Sequence, residues 1–437
     1  MRTKSIAIVF LSLVLLVSLQ HASAQKTWET FGRANGMVGD EVISMDYSGG
    51  ELWVATTYIE PDVEEASLEG GVSLLDPSTG NFTTYTPNEG LAHVKVWDIL
   101  IDGDRVWFGT PRGLSMLDKQ KLKTLEPYEI QQAWTTFTSK DGLLSDDVRC
   151  MAKEGDILWL GTNLGVSGYN TKTGEWTNIT TKDGLPARGV QSLAVQNGVL
   201  WIGTTNGLAL YDTKSRSMKT FEPPGEGLDA KIVNVLAVGP EKVWIGTRMG
   251  LFTLDPETGD WTQYGKDSLP DTWIQTIAFR DDEVWVGTRK GLGIYNKQKE
   301  KWKILDEKKG LASNDVRAIA PVDDYTWIGT SKGLNKYYPG AAAARIRKIV
   351  PIVAVVVIAA AGGIAVLAKL LKPSPEELER RRKAEEIRAK RKERRRTEKP
   401  PWEICNGVPK PELCGRCRYS SVKAGKLHCT KYDIDLE

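Results

Sequence analysis

Histidine and cysteine are scarce in the first 400 residues of this 437-residue chain. Cys150 is the only cysteine in that part, so it cannot form an internal disulfide there, and packing must stabilise the fold. His93 is the only histidine between residues 25 and 340, which argues against a histidine-based nucleophilic triad or a multi-histidine metal site. For this region we therefore predict no catalytic residues, no cofactor and no enzymatic activity.

Long apolar runs are rare as well, and the first of them lies at the N-terminus. Arg2 and Lys4 precede a run from Ile6 to Leu19, and the small residues 22–24 follow it. A basic start, an apolar stretch and a small-residue cleavage site are typical of a secretory signal peptide. We predict a signal peptide over residues 1–24, with an uncleaved N-terminal anchor as the alternative.

The second apolar run, from Ile349 to Ala368, contains no charged residue. At about 1.5 Å per residue its twenty residues reach roughly 30 Å, the thickness of a bilayer core. This predicts a transmembrane helix over residues 349–371. Lys and Arg are more numerous after the run than before it, so the C-terminal side should be cytoplasmic and residues 25–340 extracytoplasmic. We expect a single-pass protein of the cell membrane.

Tryptophan and glycine, by contrast, are plentiful, with 15 and 42 residues. Many of them belong to one repeated motif of Trp, apolar, Gly, Thr, two variable residues, Gly, apolar. It occurs as WFGTPRGL at Trp107, WLGTNLGV at Trp159, WIGTTNGL at Trp201, WIGTRMGL at Trp244, WVGTRKGL at Trp285 and WIGTSKGL at Trp327. A seventh copy begins as WVAT at Trp53 and resumes as GVSLLD at Gly71. The closest copies are about 42 residues apart, which is typical of a propeller blade.

Each unit divides into four short strands separated by turn residues. In the fourth copy they are residues 190–195, 200–203, 208–211 and 218–221. Four antiparallel strands per unit predict an all-β fold, a seven-bladed β-propeller over residues 25–340. We interpret the recurring Trp as an apolar wedge between neighbouring blades, and the Gly-Thr after it as the place where two sheets approach closely.

Ring closure follows from counting the strands. Seven outer strands are recognisable, and the first of them, Trp28 to Phe31, precedes the first complete unit. No outer strand follows Leu334 to Tyr338, the third strand of the last unit. We therefore predict that the N-terminal strand completes the last blade, which removes an exposed sheet edge.

The repeats resemble the two-component regulator propeller repeat, whose pattern is LWIGT-x-x-GL-x-x-YD. That repeat is found in extracytoplasmic sensor regions of bacterial hybrid histidine kinases, and the resemblance covers about residues 26 to 339 without a kinase. It implies a propeller fold and a sensor role. Relatives often carry two such rings followed by further domains, whereas one ring is recognisable in this sequence.

The propeller topology places candidate binding residues on one face. The turns between second and third strands and the loops between blades emerge together, on what we call the mouth face. The turns contribute Arg112, Arg248, Arg289, Lys290 and Lys332, and the interblade loops contribute His93, Trp273, Asp146 and Asp147. Such a mixed-charge rim suits a protein or a polar extracytoplasmic ligand, although ordinary solvated loop tips have the same composition.

Two insertions account for the longer repeats. Residues Thr57 to Gly70 replace a short turn of the first blade and include five acidic residues, so we expect an acidic flap on the mouth face. The second insertion, Lys119 to Gln132, falls on the opposite face.

The tail after the apolar run has two parts. Residues 374–398 predict a basic helix, opened by a capping box at Ser374 and supported by Glu-to-Lys or Glu-to-Arg pairs four residues apart. We explain its charge by retention in the cytoplasm against anionic lipid, and favour this over nucleic-acid binding. Residues 402–437 contain Cys405, Cys414, Cys417 and Cys429. Their spacing predicts a structural zinc site, with an iron–sulfur cluster or free thiols as alternatives.

Three functions remain open on the sequence alone. The favoured one is a membrane-anchored sensor or interaction module, whose ring binds a ligand or protein outside and whose tail engages a cytoplasmic partner. The alternative is a structural scaffold of the cell envelope. A lyase or hydrolase built on a propeller is less favoured, because histidine is so scarce. Propellers serve all three purposes, so the fold does not choose among them.

Overall fold

Each tryptophan repeat folds into a four-stranded antiparallel sheet, and seven such blades are arranged in sequence order. The computed structural model describes residues 27–59, 68–239, 242–265 and 267–339, and in the C-terminal region residues 379, 382–383, 385–386, 420–423, 426–429 and 434–436. The chain divides into two units, residues 1–346 and 347–437. The first unit is the predicted seven-bladed propeller.

The strands are numbered in chain order, and within a blade the first strand is the inner one. Strand β1 is Trp28–Phe31. Blade 1 contains β2 to β5, which are Glu41–Ser48, Glu51–Ile59, Leu68–Leu75 and Phe82–Tyr85. Blade 2 contains β6 to β9, which are Asp98–Asp102, Arg105–Thr110, Gly113–Asp118 and Trp134–Phe137. Blade 3 contains β10 to β13, which are Val148–Glu154, Ile157–Thr162, Val166–Asn170 and Trp176–Ile179.

The remaining blades repeat this arrangement. Blade 4 contains β14 to β17, which are Val190–Gln196, Val199–Thr204, Gly207–Asp212 and Met218–Phe221. Blade 5 contains β18 to β21, which are Val235–Val238, Val243–Gly246, Leu251–Leu254 and Trp261–Tyr264. Blade 6 contains β22 to β25, which are Ile274–Arg280, Glu283–Thr288, Gly291–Asn296 and Lys301–Leu305. Blade 7 contains β26 to β28, which are Val316–Pro321, Thr326–Thr330 and Gly333–Tyr337.

The N-terminal strand closes the ring. Strand β1 pairs antiparallel with β28, in the register that places Trp28 opposite Tyr337 and Phe31 opposite Leu334. The rings of Trp28 and Tyr337 lie 4.2 Å apart between centroids. Strand β1 is thus the outer strand of blade 7, and the predicted closure is confirmed. Both ends of the propeller are held in one sheet, so this sheet has no exposed edge at the junction.

The recurring tryptophans form the contacts between blades. All seven are between 0% and 6% exposed. Each belongs to an apolar cluster that includes residues of the next blade: Trp107 with Leu158 and Leu160, for example, and Trp201 with Val243 and Ile245. Trp327 of blade 7 clusters with Val42 and Val54 of blade 1, so the closing interface is built like the others. The interpretation of these residues as wedges is confirmed.

The Gly-Thr pair of the motif has two separate roles. A Cβ on Gly203 would lie 2.7 Å from Cγ1 of Val233 in the next blade, and one on Gly329 would lie 2.5 Å from Cγ1 of Val42. Glycine therefore permits close approach of the second strand of one blade to the start of the inner strand of the next. The threonine closes the turn that follows: the Thr288 hydroxyl donates to the carbonyl of Gly291 at 2.8 Å and accepts from the Lys290 N–H at 3.1 Å. The same bonds recur in blades 2 to 5 and 7 wherever this Thr is followed three residues later by Gly.

The structure refines the predicted strand limits in three places. The inner strands of blades 2 and 5 begin at Asp98 and Val235, two residues later than the sequence pattern suggests. In blade 1, the two ends of the first insertion continue the β3–β4 ladder, so that Thr57 lies opposite Gly70 and Ile59 opposite Leu68. Residues 60–67 of the expected flap lie outside the described residues. The second insertion contains helix α1, Lys119–Leu122, and a 3-10 helix, Pro127–Ala133; helix α2, Leu228–Lys231, lies between blades 4 and 5.

The second unit contains a small sheet. Strands β29, β30 and β31 are Ser420–Lys423, Lys426–Cys429 and Ile434–Leu436, and they pair antiparallel in that order. Glu379 and Lys383 lie within the predicted basic helix and form an ion pair at 3.1 Å. The described residues include no helix with the length and apolar character needed to cross a bilayer. The predicted signal peptide, residues 1–24, and the predicted span, residues 349–371, lie outside them.

Candidate binding site at the channel mouth

A β-bulge at the start of the inner strand turns one side chain of most blades toward the centre of the ring. In five blades the ladder skips one residue immediately after a buried Val or Ile. The skipped residues are Ile43, Arg149, Gln191, Gln275 and Arg317. In blades 2 and 5 the equivalent residues are Trp97 and Asn234. The preceding Val or Ile is at most 1% exposed, whereas the residue after it is partly exposed in every blade. Bulges commonly redirect a side chain in this way.

Six of these seven residues, all except Arg149, line a cavity of about 590 Å³. Its lining comes from six of the seven blades, which places it on the axis of the ring; we call it the channel mouth. The lining residues are Glu41, Ile43, Thr57, Lys95, Trp97, Gln191, Asn234, Trp273, Ile274, Gln275, Arg289 and Arg317. Since Arg289 comes from a second-to-third turn and Trp273 from an interblade loop, the two loop sets do converge on one face.

One part of the wall, between blades 6, 7 and 1, is joined by a polar network. The Arg317 guanidinium donates to Glu41 at 2.5 Å and to Asp315 at 2.8 Å. Gln275 donates to Asp315 at 2.6 Å. Burial disfavours the charged form of Arg317, but the bonds to the two carboxylates outweigh it and raise the pKa of the guanidinium. The charge of Arg317 is therefore already compensated inside the protein.

Two tryptophans of the mouth are stacked with cations. The Cζ atoms of Arg289 and Arg248 lie 3.5 and 4.4 Å from the ring centroid of Trp273. Both guanidinium groups therefore lie against the same indole. Arg248 also pairs with Asp229 at 3.0 Å. The Lys95 ammonium lies 4.0 Å from the ring centroid of Trp97. These three cation–π contacts hold long side chains in place at the rim.

Below the mouth, a carboxylate joins three inner strands. Asp98 of blade 2 accepts from the Met151 N–H of blade 3 at 2.7 Å and from the Ser44 hydroxyl of blade 1 at 3.3 Å. Desolvation, with a smaller contribution from the nearby carboxyl of Asp46, raises the pKa of Asp98 to about 7. Asp46 accepts from the Ile101 N–H at 2.8 Å, and desolvation raises its pKa too. These carboxyl groups connect neighbouring blades through backbone N–H groups.

The structure brings some of the predicted site residues into the channel mouth. Arg289 and Trp273 line it, and Arg248 reaches it through the stack on Trp273. Lys290 points to Asp271, at 3.5 Å between Nζ and the carboxylate. Lys332 lines a separate cavity, of about 330 Å³, beside Asp40 and Tyr58.

The other predicted residues lie on the mouth face in local contacts. The Arg112 N–H donates to the Thr110 hydroxyl at 3.1 Å. Nδ1 of His93 accepts from the Lys95 N–H at 2.9 Å, and burial lowers the pKa of this histidine. Asp146 accepts from the Ser139 N–H at 2.6 Å, and Asp147 pairs with Arg149 at 2.8 Å. Of the four predicted metal ligands, Cys405, Cys414 and Cys417 lie outside the described residues, and Cys429 ends strand β30.

Sequence reasoning missed the bulged residues of the inner strands. Trp97, Gln191, Asn234, Gln275 and Arg317 are not among the predicted site residues, although they form much of the cavity lining. A signal was available: the residue after the buried Val or Ile of each repeat is often polar or charged, in a strand that is otherwise mostly apolar. Aligning the seven inner strands would have singled out this position.

Comparison with known proteins finds structural relatives alone. No family model matches the sequence, and no curated protein matches it. Extracellular domains are among the structural neighbours. The extracellular domain of a protein described as the hybrid two component system BT3049, from B. thetaiotaomicron, superposes with a TM-score of 0.58 and 22% identity, over 71% of this chain and 41% of that one. The corresponding domain of BT4673 from the same organism gives a TM-score of 0.56 and 21% identity, over 71% and 40%.

These relatives support the propeller fold. This chain spans about two fifths of the length of either sensor domain. Virginiamycin B lyase from Staphylococcus aureus also shares the fold, with a TM-score of 0.53 and 14% identity, over 71% of this chain and 98% of that one. Sensors and a lyase therefore share the architecture, and the function has to be argued from the site.

Proposed function

We propose that this protein is an extracytoplasmic sensor or interaction module, and that its ligand or partner binds at the channel mouth. The observation that carries the proposal is the set of bulged inner-strand residues that converge on one cavity of about 590 Å³. Bulges interrupt the ladder at a cost in regular pairing, and their repetition around the ring builds a polar concave surface. Concave sites with a few convergent polar groups are the usual places for ligands.

The chemistry of the lining favours binding over catalysis. The twelve lining residues include no histidine, cysteine or serine, and the single carboxylate among them, Glu41, is hydrogen-bonded to Arg317 and Thr57. General acid–base catalysis needs a group that is free to exchange a proton with the substrate. Tryptophan and arginine side chains are instead among the residues that most often supply binding energy. The resemblance to extracellular sensor domains supports the same choice.

Membrane anchorage is a further part of the proposal, and it rests on the sequence. The span at 349–371 would hold the propeller outside the membrane and the cysteine-containing tail inside it. To test this orientation, one cysteine is introduced at Lys214, exposed on the face opposite the mouth, in a chain whose five native cysteines are replaced by serine, and intact cells are labelled with a membrane-impermeant maleimide. We expect labelling of this variant in intact cells, and labelling of a variant with cysteine at Lys392 only after lysis. Reversed accessibility would contradict the proposed topology.

Site-specific photocrosslinking tests the binding function. A photoreactive amino acid at Gln191 would lie in the channel mouth of the full chain, and one at Lys214 is the matched control on the opposite face. We expect covalent adducts in cells from position 191 and none from position 214. Adducts from position 214 alone, or from neither position, would count against binding at the mouth.

A further inference from the structure

Two cations of the channel mouth have no anionic partner among the residues that the structure describes. Arg317, Arg149, Arg248 and Lys290 each have a carboxylate within 4 Å. Arg289 and Lys95 have aromatic rings beneath them instead, those of Trp273 and Trp97. Glu41 and Arg317 compensate each other, so among the described lining residues Arg289 and Lys95 are the cations without a carboxylate partner. Such a site attracts an anionic ligand.

The stack on Trp273 prepares Arg289 to bind a carboxylate. A guanidinium that lies flat on an indole keeps its N–H donors at its edge, where a planar oxyanion can accept two parallel hydrogen bonds. Arg289 is exposed and makes no hydrogen bond to the described residues, so those donors face the mouth. Because stacking restricts the side chain beforehand, less conformational entropy is lost when the ligand binds.

The same stack disfavours a sugar ring as the ligand. Sugars usually pack on an open aromatic face, but two guanidinium groups lie against the ring of Trp273. The mouth also presents amide groups from Gln191, Asn234 and Gln275. Amides both donate and accept hydrogen bonds, which matches the alternating N–H and C=O groups of an extended polypeptide.

Two exposed apolar residues are next in sequence to the ion pair of Arg248 and Asp229. Met249, next to Arg248, is 50% exposed, and Leu228, next to Asp229, is 66% exposed. Arg248 and Asp229, their neighbours in sequence, pair at 3.0 Å, and Arg248 itself lies against the ring of Trp273. Exposed apolar residues around a charged centre are typical of surfaces that bind protein segments.

We propose that the channel mouth binds a polypeptide segment whose carboxylate is held by Arg289 and Lys95 and whose apolar side chains contact Met249 and Leu228. This inference rests on the proposed function, since it names the ligand class of the same site. Carboxylate recognition by a stacked arginine supplies the specificity, and the amides of the mouth hold the peptide backbone.

A binding assay with the full chain in detergent tests the ligand class. The probe is a short fluorescein-labelled peptide of alternating glutamate and leucine, followed by fluorescence anisotropy. Arg289→Gln removes the guanidinium, and Arg105→Gln, an exposed arginine on the opposite face, is the matched control. We expect Arg289→Gln to weaken binding by about tenfold or more, as for loss of a charge-assisted hydrogen-bonded pair. Arg105→Gln should leave binding unchanged, and both variants should keep the thermal midpoint of the parent.

Competitors separate this class from other anionic ligands. The same peptide with glutamine in place of glutamate should compete poorly, and added salt should weaken binding of the acidic peptide. If oligogalacturonate or inorganic phosphate displaces the probe at equal or lower concentration, the polypeptide class is wrong. The same conclusion follows if the probe does not bind or ignores Arg289→Gln.

The crosslinking experiment distinguishes failure of the proposed ligand class from failure of the proposed binding function. Adducts at position 191 that the acidic peptide does not suppress would reject the ligand class and leave the mouth as a binding site. Absence of adducts at position 191, together with probe binding that ignores Arg289→Gln, would reject both.

Discussion

Replacing Asp98 with asparagine should change how the stability of the propeller depends on pH. The Asp98 carboxylate accepts hydrogen bonds from Met151 and Ser44, and thereby joins the inner strands of blades 1, 2 and 3. Its pKa is about 7 in the folded protein, against 3.8 for an ordinary aspartate. Between these two values the folded state binds more protons than the unfolded state. The free energy of unfolding therefore falls as the pH rises from about 4 to about 7.

The size of the effect follows from the difference between the two pKa values. That difference is about three pH units, and each unit corresponds to about 1.4 kcal/mol. The ionised carboxylate thus lowers the free energy of unfolding by at most about 4 kcal/mol above pH 7, relative to pH 4. Asp98 is partly exposed by surface area, and water in the channel reduces this figure. An asparagine keeps an oxygen to accept from Met151 and gains N–H groups that can donate to Ser44, without any charge.

Urea unfolding of the full chain, followed by tryptophan fluorescence at pH 5, 6, 7 and 8, measures this contribution. We expect the parent to lose stability across this range and Asp98→Asn to lose less, so that the variant becomes the more stable protein at pH 8. Asp102→Asn, on the same strand, controls for removal of a carboxylate. Equal pH dependence of the parent and Asp98→Asn would refute the proposed cost of ionising Asp98.

Further predictions concern the closure, the blade contacts, the turns and the tail. Trp28→Ala removes the ring that stacks on Tyr337 and should lower the free energy of unfolding by roughly 3 kcal/mol, measured by urea denaturation; an unchanged midpoint would contradict closure by β1. Gly203→Ala forces a Cβ against Val233 and should cost about 1–3 kcal/mol in the same assay, whereas no loss would mean that the two blades can separate slightly. Thr288→Val leaves the Lys290 N–H without its acceptor and should cost about 1–2 kcal/mol and weaken probe binding through Arg289; intact binding would show that this turn does not position the arginine. Metal analysis of the purified full chain should find near one equivalent of zinc that is lost when Cys414 and Cys417 are replaced by serine, and absence of both zinc and iron would reject the metal site.

Much of the fold could be predicted because its determinants are local and repeated. The motif that begins at Trp107 or Trp201 contains the wedge, the glycine of close approach and the threonine that closes the turn. Seven copies of a four-stranded unit predict one architecture, the seven-bladed propeller. The strand Trp28–Phe31 then pairs with β28, the third strand of the last blade, which has no outer strand of its own after it. Each of these conclusions needs only the order of residues along the chain.

The candidate site could be predicted only in part. Loop topology placed Arg289 and Trp273 on the correct face, because that follows from strand order. It did not show that Arg248 and Arg289 both lie against one indole. It also gave no reason to select Gln191 or Gln275, since a strand pattern assigns alternate residues to two sheet faces and does not reveal a skipped residue.

The sequence by itself determined the number of blades, the strand order, the wedges between the sheets and the closure by the N-terminal strand. Periodicity and residue type are sufficient for these, because each repeat buries its own apolar residues against the next. Only the tertiary structure decided which cations are compensated and which carboxylate has a raised pKa. Arg317 and Glu41 are 276 residues apart and meet through ring closure, and Asp98 titrates near pH 7 because three blades enclose it. Charge pairing and desolvation depend on distances between blades, and those distances exist only once the ring has closed.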